Sequence, residues 1–166
     1  MKMTSAEAAK LLRKMNEELN ALCCLEEQGK VFTVSPGEKE EELRPAYDYN
    51  ATRDAMTDLE ARIRRVKHAV NCFNCITQVP GFDMTIDQML VYLPQLSARK
   101  QKLSGMKNVL PRTRVTRFSS NLVEYTLINY DQAQVAADYE AAADELARAQ
   151  NALDIVNTTL TFEVEA

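Results

Sequence analysis

The chain has 166 residues and a formal net charge of −4, with 46% hydrophobic and 27% charged residues. This length suits one domain, and this composition indicates neither a disordered polyelectrolyte nor a membrane span. Because the chain has only 4 glycines and 5 prolines, all-β sandwiches and barrels, which need many turns, are disfavoured. The fold class that remains is one of long helices joined by few loops.

Apolar residues in the first segment recur at steps of 4 and 3 residues, which is the heptad spacing of packed helices. The residues with this spacing are Ala8, Leu12, Met15, Leu19 and Leu22. Thr4 and Glu7 form a capping box at the start, because the hydroxyl and the carboxylate can each bind a free backbone N–H of the first turn. The sequence therefore predicts a first helix over residues 5–27.

Two further segments have the same spacing. The second helix is predicted over residues 48–77, after a charged surface loop in which the short apolar run at 31–34 is a candidate for one small strand. After a break at Pro80 and Gly81, Thr85 and Gln88 form another capping box, and the third helix is predicted over residues 85–104.

The character of the chain changes after the third helix. Residues 112–129 are rich in β-branched and aromatic types around a polar centre, which predicts a β-hairpin. Asp131 then caps a last heptad helix over residues 131–157, and the alternating tail at 160–164 predicts one edge strand. Heptad helices pack as helical hairpins or a four-helix bundle. We therefore predict a mainly α, single-domain protein over residues 1–166 with a small β-hairpin.

Short motifs follow one another in a characteristic order. The second helix closes with Asn71, Asn74 and Thr77, and Asp83 and Thr85 open the third helix. A basic hairpin over residues 112–117 and a terminal segment at 157–160 complete the order. This order resembles the septicolysin-like family of small helical bacterial and phage proteins. The resemblance implies a helical fold and places Asn71 and Asn74 among the candidate ligand-binding residues, but it implies no defined activity.

Charge is unevenly spread along the chain. Residues 131–166 carry eight acidic residues against Arg148 alone, whereas residues 88–123 contain no acid. The basic residues of that second window are Arg99, Lys100, Lys102, Lys107, Arg112, Arg114 and Arg117. Two interpretations are open: the basic and acidic faces pair within the fold or between subunits, or the basic window binds an anion. The negative net charge argues against nucleic acid as a partner.

The predicted hairpin is the best candidate for an anion site. Alternation places Arg112 and Arg114 on one strand face and Arg117 on the other, with Tyr125 and Tyr130 on the returning strand. Arginine forks and tyrosine rings together suit a phosphate and a stacked base. The alternative is that these arginines contact the acidic last helix across a subunit interface.

Metal and catalytic chemistry are disfavoured. His68, Cys72 and Cys75 share one helical face, but structural zinc sites hold their cysteine pairs in turns, so we expect buried or half-buried thiols and no metal. The chain has one histidine and no glycine-rich phosphate loop, nucleophile elbow or repeated Glu-x-x-His, so neither an enzyme nor a cofactor is expected.

The N-terminus lacks the apolar region of a secretion signal, which predicts a cytoplasmic protein with reduced thiols. The chain also offers no apolar span for a membrane. We expect a non-enzymatic, homo-oligomeric binding or scaffold protein with coiled-coil-like packing. The alternative is a phage-type sequestering protein that holds a small anionic nucleotide between subunits.

Overall fold

The computed structural model describes residues 1–115 and 123–165. In chain order the elements are β1 (Lys2–Thr4), α1 (Ser5–Gly29), α2 (Glu40–Leu43), α3 (Tyr49–Ile76), α4 (Ile86–Lys107), β2 (Arg112–Val115), β3 (Glu124–Leu127), α5 (Gln132–Thr159) and β4 (Thr161–Glu163). The predicted mainly α class with a small β-hairpin is confirmed. The four long helices begin and end within about three residues of the predicted bounds.

Side-chain caps set the first residue of the long helices. The Thr4 hydroxyl accepts a hydrogen bond from the Glu7 backbone N–H, and the Glu7 carboxylate accepts one from the Thr4 N–H, so both halves of the predicted capping box of α1 are present. Thr85 and Gln88 form the same pair at α4. Asp131 Oδ1 accepts N–H groups of the first turn of α5. Local chemistry therefore defines these helix starts.

The first compact unit comprises residues Met1–Thr77 and Ile155–Ala166. Helix α1 packs against α3, and β1 pairs with β4 as an antiparallel two-stranded sheet in which Met3 opposes Phe162. The buried apolar residues of this unit are Met3, Ala8, Met15, Leu59, Ile63, Val66, Phe73, Val156, Phe162 and Val164. The heptad residues of α1 and α3 thus supply its core.

The second compact unit comprises residues Gln78–Asp154, with α4, the β2–β3 hairpin and most of α5. Its buried apolar residues are Val79, Ile86, Met89, Leu96, Val135, Ala142, Ala149 and Leu153. The helix α4 continues through Pro94. The prediction of a single domain over residues 1–166 stays a prediction.

Three short features differ from or extend the expectation. The predicted tail strand is present as β4, but its partner β1 was not predicted, because three residues are too few to show an alternating pattern. The four-residue helix α2 was also not predicted. No strand forms over residues 31–34, which lie in the loop between α1 and α2.

Candidate functional site

The β2–β3 hairpin presents the predicted arginines and one of the predicted tyrosines together. Its antiparallel register opposes Arg112 to Leu127 and Arg114 to Tyr125. Directly opposed residues share a face, and alternate residues of one strand do too. Arg112, Arg114 and Tyr125 therefore lie on one face with Leu127, and all four are exposed.

Within that face, Arg112 lies over the ring of Tyr125. The guanidinium carbon of Arg112 is 3.6 Å from the ring centroid, which is the geometry of a cation–π interaction. One face of the tyrosine ring is thus already covered by the protein's own arginine. Arg114 makes no ion pair with any residue in the described part of the chain.

The remaining candidate residues lie elsewhere. The Tyr130 hydroxyl donates to the Met106 carbonyl oxygen at 2.7 Å, so this tyrosine anchors the chain to the end of α4. Arg117 lies outside the described residues. Asn71 is exposed and Asn74 is half-buried on α3, in the first unit, whereas the hairpin belongs to the second.

The cysteines do not match the expectation of buried or half-buried thiols. Only Cys23 is half-buried, and the other three, Cys24, Cys72 and Cys75, are exposed. The Cys72 sulfur lies 3.5 Å from Nε2 of His68, one turn earlier on α3. We expected these thiols to be buried because they lie next to the apolar heptad positions. On this turn of α3, however, the residue buried in the core is Phe73. Among residues 1–115 and 123–165, no group of three potential ligands could hold a metal ion.

A groove that was not predicted from the sequence lies between α4 and α5. It has a volume of about 520 Å³ and is lined by apolar residues from both helices. These are Leu96, Leu103 and Met106 on α4, and Val135, Ala141 and Ala142 on α5. The uneven charge along the sequence was the feature that pointed to this groove. Arg99 and Lys102 lie on its α4 edge, and Asp138 and Glu145 lie on its α5 edge.

Polar contacts connect the two helices beside the groove. Lys107 Nζ forms an ion pair with Glu140 Oε1 at 3.0 Å, and the Tyr92 hydroxyl donates to Glu145 Oε1 at 2.8 Å. That hydrogen bond to a carboxylate, with burial as the second cause, raises the pKa of Tyr92. Basic and acidic segments therefore pair in part within the chain.

Several large apolar side chains are exposed in each unit. Among them are Leu90, Val91, Leu110 and Leu127 of the second unit and Ile155 of the first. Considerable apolar surface is therefore available for a partner.

Comparisons with known proteins give a fold neighbour. No protein-family model matches the chain, and no curated protein matches it. A crystal structure of a functionally unknown conserved protein from Corynebacterium diphtheriae is similar, with a TM-score of 0.63 and 18% sequence identity, over 98% of this chain and 100% of that one. This similarity shows a shared fold. The resemblance to the septicolysin-like family stays a prediction. In the described part of the chain, no helix is long and apolar enough to cross a membrane.

Proposed function

We propose that the protein is a non-enzymatic, homo-oligomeric binding or scaffold protein, a septicolysin-like helical protein that needs no cofactor. The observation that carries this proposal is that each unit exposes large apolar side chains. Ile76 of the first unit is 77% exposed and Leu110 of the second is 67% exposed. Covering such surface with a partner removes it from water, which favours association.

The proposal includes a cytoplasmic location. Its support is that all four cysteines are free thiols, three of them exposed, which is typical of a reducing compartment. A secreted chain of this kind would leave exposed thiols open to oxidation.

Sedimentation equilibrium over the micromolar range tests the oligomer. We expect a mass that rises with concentration to at least twice the 18.8 kDa of one chain. A single 18.8 kDa species at every concentration overturns the proposal.

A second candidate function is the sequestering of a small anionic nucleotide at the hairpin. The observation that favours it is the exposed Arg114 beside Tyr125, on a strand face that also holds Arg112. A guanidinium that makes no ion pair is available for a phosphate. Isothermal titration calorimetry with linear and cyclic nucleotides tests this candidate, and an absence of heat with every nucleotide contradicts it.

A further inference from the structure

The groove between α4 and α5 has an apolar floor. The buried residues Leu96, Val135 and Ala142 form its deepest part, and the half-buried Leu103 and Met106 extend it along α4. A groove of about 520 Å³ with this lining is wide enough to receive apolar side chains of another helix. Apolar patches with polar edges are typical of protein interaction sites.

Opposite charges line the two edges of this groove. Arg99 and Lys102 form the α4 edge, Asp138 and Glu145 form the α5 edge, and all but Glu145 are exposed. Arg99, Lys102 and Asp138 form no ion pair with any of the described residues, whereas Glu145 pairs with Arg148 at 3.7 Å on its own helix. A partner that fits this groove must therefore carry negative charge opposite α4 and positive charge opposite α5.

A second copy of the chain has this charge pattern. When a two-fold axis runs along the groove, α4 of one protomer faces α5 of its partner, and both edges meet the opposite charge. A two-fold axis across the groove would instead bring Arg99 and Lys102 against their own copies. Because a two-fold interface uses the same patch on both protomers, the charges select the axis along the groove.

Small side chains also suit this partner. Ala141 and Ala142 lie on the α5 side of the groove, and small residues let a second helix approach closely.

We propose that the α4–α5 groove is the self-association interface, in which two copies form a four-helix contact with α4 of each packed on α5 of the other. This inference rests on the proposed homo-oligomer and names the surface that forms it. Four helices packed in this way follow the geometry of helix bundles.

Charge reversal of each edge tests the proposal. Arg99→Glu with Lys102→Glu gives a chain with two acidic edges, and Asp138→Lys with Glu145→Lys gives a chain with two basic edges. Each variant alone is expected to dimerise at least about tenfold more weakly than wild type, because like charges then meet at both contacts. An equimolar mixture is expected to form a heterodimer, since both contacts again join opposite charges. Native mass spectrometry distinguishes the heterodimer from the homodimers by mass.

Matched variants separate charge from local damage. Arg64→Glu with Lys67→Glu reverses two exposed basic residues of α3 at the same spacing and should leave dimerisation unchanged. Tyr92→Phe removes the hydrogen bond that Glu145→Lys also loses, and it should leave dimerisation unchanged as well. If either charge-reversed chain fails to fold by circular dichroism, Ala141→Lys adds a repelling charge at an exposed position of α5 and should weaken the dimer.

The outcomes separate this inference from the proposed function. A wild-type chain that stays monomeric overturns both. A wild-type oligomer that both charge-reversed variants form equally well overturns the groove interface alone. Weakened single variants that do not recover on mixing also overturn it, because the two-fold arrangement requires recovery.

Discussion

Phe73 on α3 stacks against Phe162 on β4, with ring centroids 4.7 Å apart and ring planes at 26°. Phe162 also opposes Met3 in the antiparallel β1–β4 pair. Both phenyl rings are buried. This stack therefore joins the long helix of the first unit to the small sheet formed by the two ends of the sequence.

Truncation of this stack should be strongly destabilising. Phe162→Ala is expected to lower the free energy of unfolding by about 3–5 kcal/mol, because it removes a buried ring and leaves a cavity beside Phe73. Urea denaturation followed by circular dichroism measures this change. Leu160→Ala, at an exposed position of the same tail, is the control and should change stability by about 0.5 kcal/mol or less. Equal losses in the two variants would show that the stack is not a core contact.

Two helical glycines should respond in opposite directions to alanine. A Cβ at Gly29 would lie 2.5 Å from Cβ of Tyr47 and 2.7 Å from its Cγ, whereas a Cβ at Gly105 meets nothing within 4 Å. Gly29→Ala is expected to lower the free energy of unfolding by about 1–3 kcal/mol through this clash. Gly105→Ala, inside α4, is expected to raise it by about 0.5–1 kcal/mol through the loss of unfolded-state entropy. Thermal melting of both variants checks the pair, and a stabilising Gly29→Ala would disprove the close approach of Tyr47.

The capping box of α1 predicts a pH dependence. Glu7 accepts the Thr4 backbone N–H at 2.8 Å, and this hydrogen bond is the largest cause that lowers the pKa of Glu7 below its ordinary value of 4.5. Because the pKa is lower in the folded state, the carboxylate stabilises the fold above the unfolded-state pKa. This stabilisation is lost as pH falls through the lowered folded-state pKa.

Glu7→Gln isolates that contribution, since the amide can still cap Thr4 but does not titrate. Wild type is expected to be more stable than this variant at neutral pH, and the difference should shrink as pH falls well below 4.5. Urea denaturation of both proteins across this range gives the comparison. A stability difference that stays constant with pH would show that the Glu7 charge contributes nothing to the cap.

The hairpin arginines should separate the two candidate functions. Arg112→Ala with Arg114→Ala removes the cation–π contact to Tyr125, which is worth about 0.5–1 kcal/mol at an exposed site. If the hairpin is structural, wild type should bind no nucleotide by calorimetry, and the double variant should lose that small contribution to stability while the oligomer stays intact in sedimentation. We expect this structural result. Nucleotide binding by wild type that is lost in an intact oligomer of the variant would favour the sequestering function instead.

The helices were predictable because their signals are local. Thr4 with Glu7 and Thr85 with Gln88 lie three residues apart, so each helix start can be identified within one turn. The pairing of β1 with β4 was not predictable, since it depends on residues at opposite ends of the sequence. Lys2–Thr4 is also too short to show a period.

The candidate site was predictable only in part. The shared face of Arg112, Arg114 and Tyr125 follows from strand alternation and the register of the hairpin. The stacking of Arg112 on Tyr125 depends on side-chain conformations that no spacing encodes. The α4–α5 groove depends on the separation of two helices, so the sequence showed its opposite charges without showing that they line one surface.

The β1–β4 sheet can form only late in translation. Thr4 pairs with Thr161, so β1 stays unpaired while roughly 157 residues are added. This takes about 8–30 s at ordinary rates of synthesis. The residues of the second unit form one continuous stretch, Gln78–Asp154, and leave the ribosome before the β4 strand does. The first unit is therefore completed last, although its synthesis begins earlier. Until Phe162 emerges, Met3 and the side of Phe73 that Phe162 covers in the folded chain stay exposed, and such apolar surface is prone to aggregation.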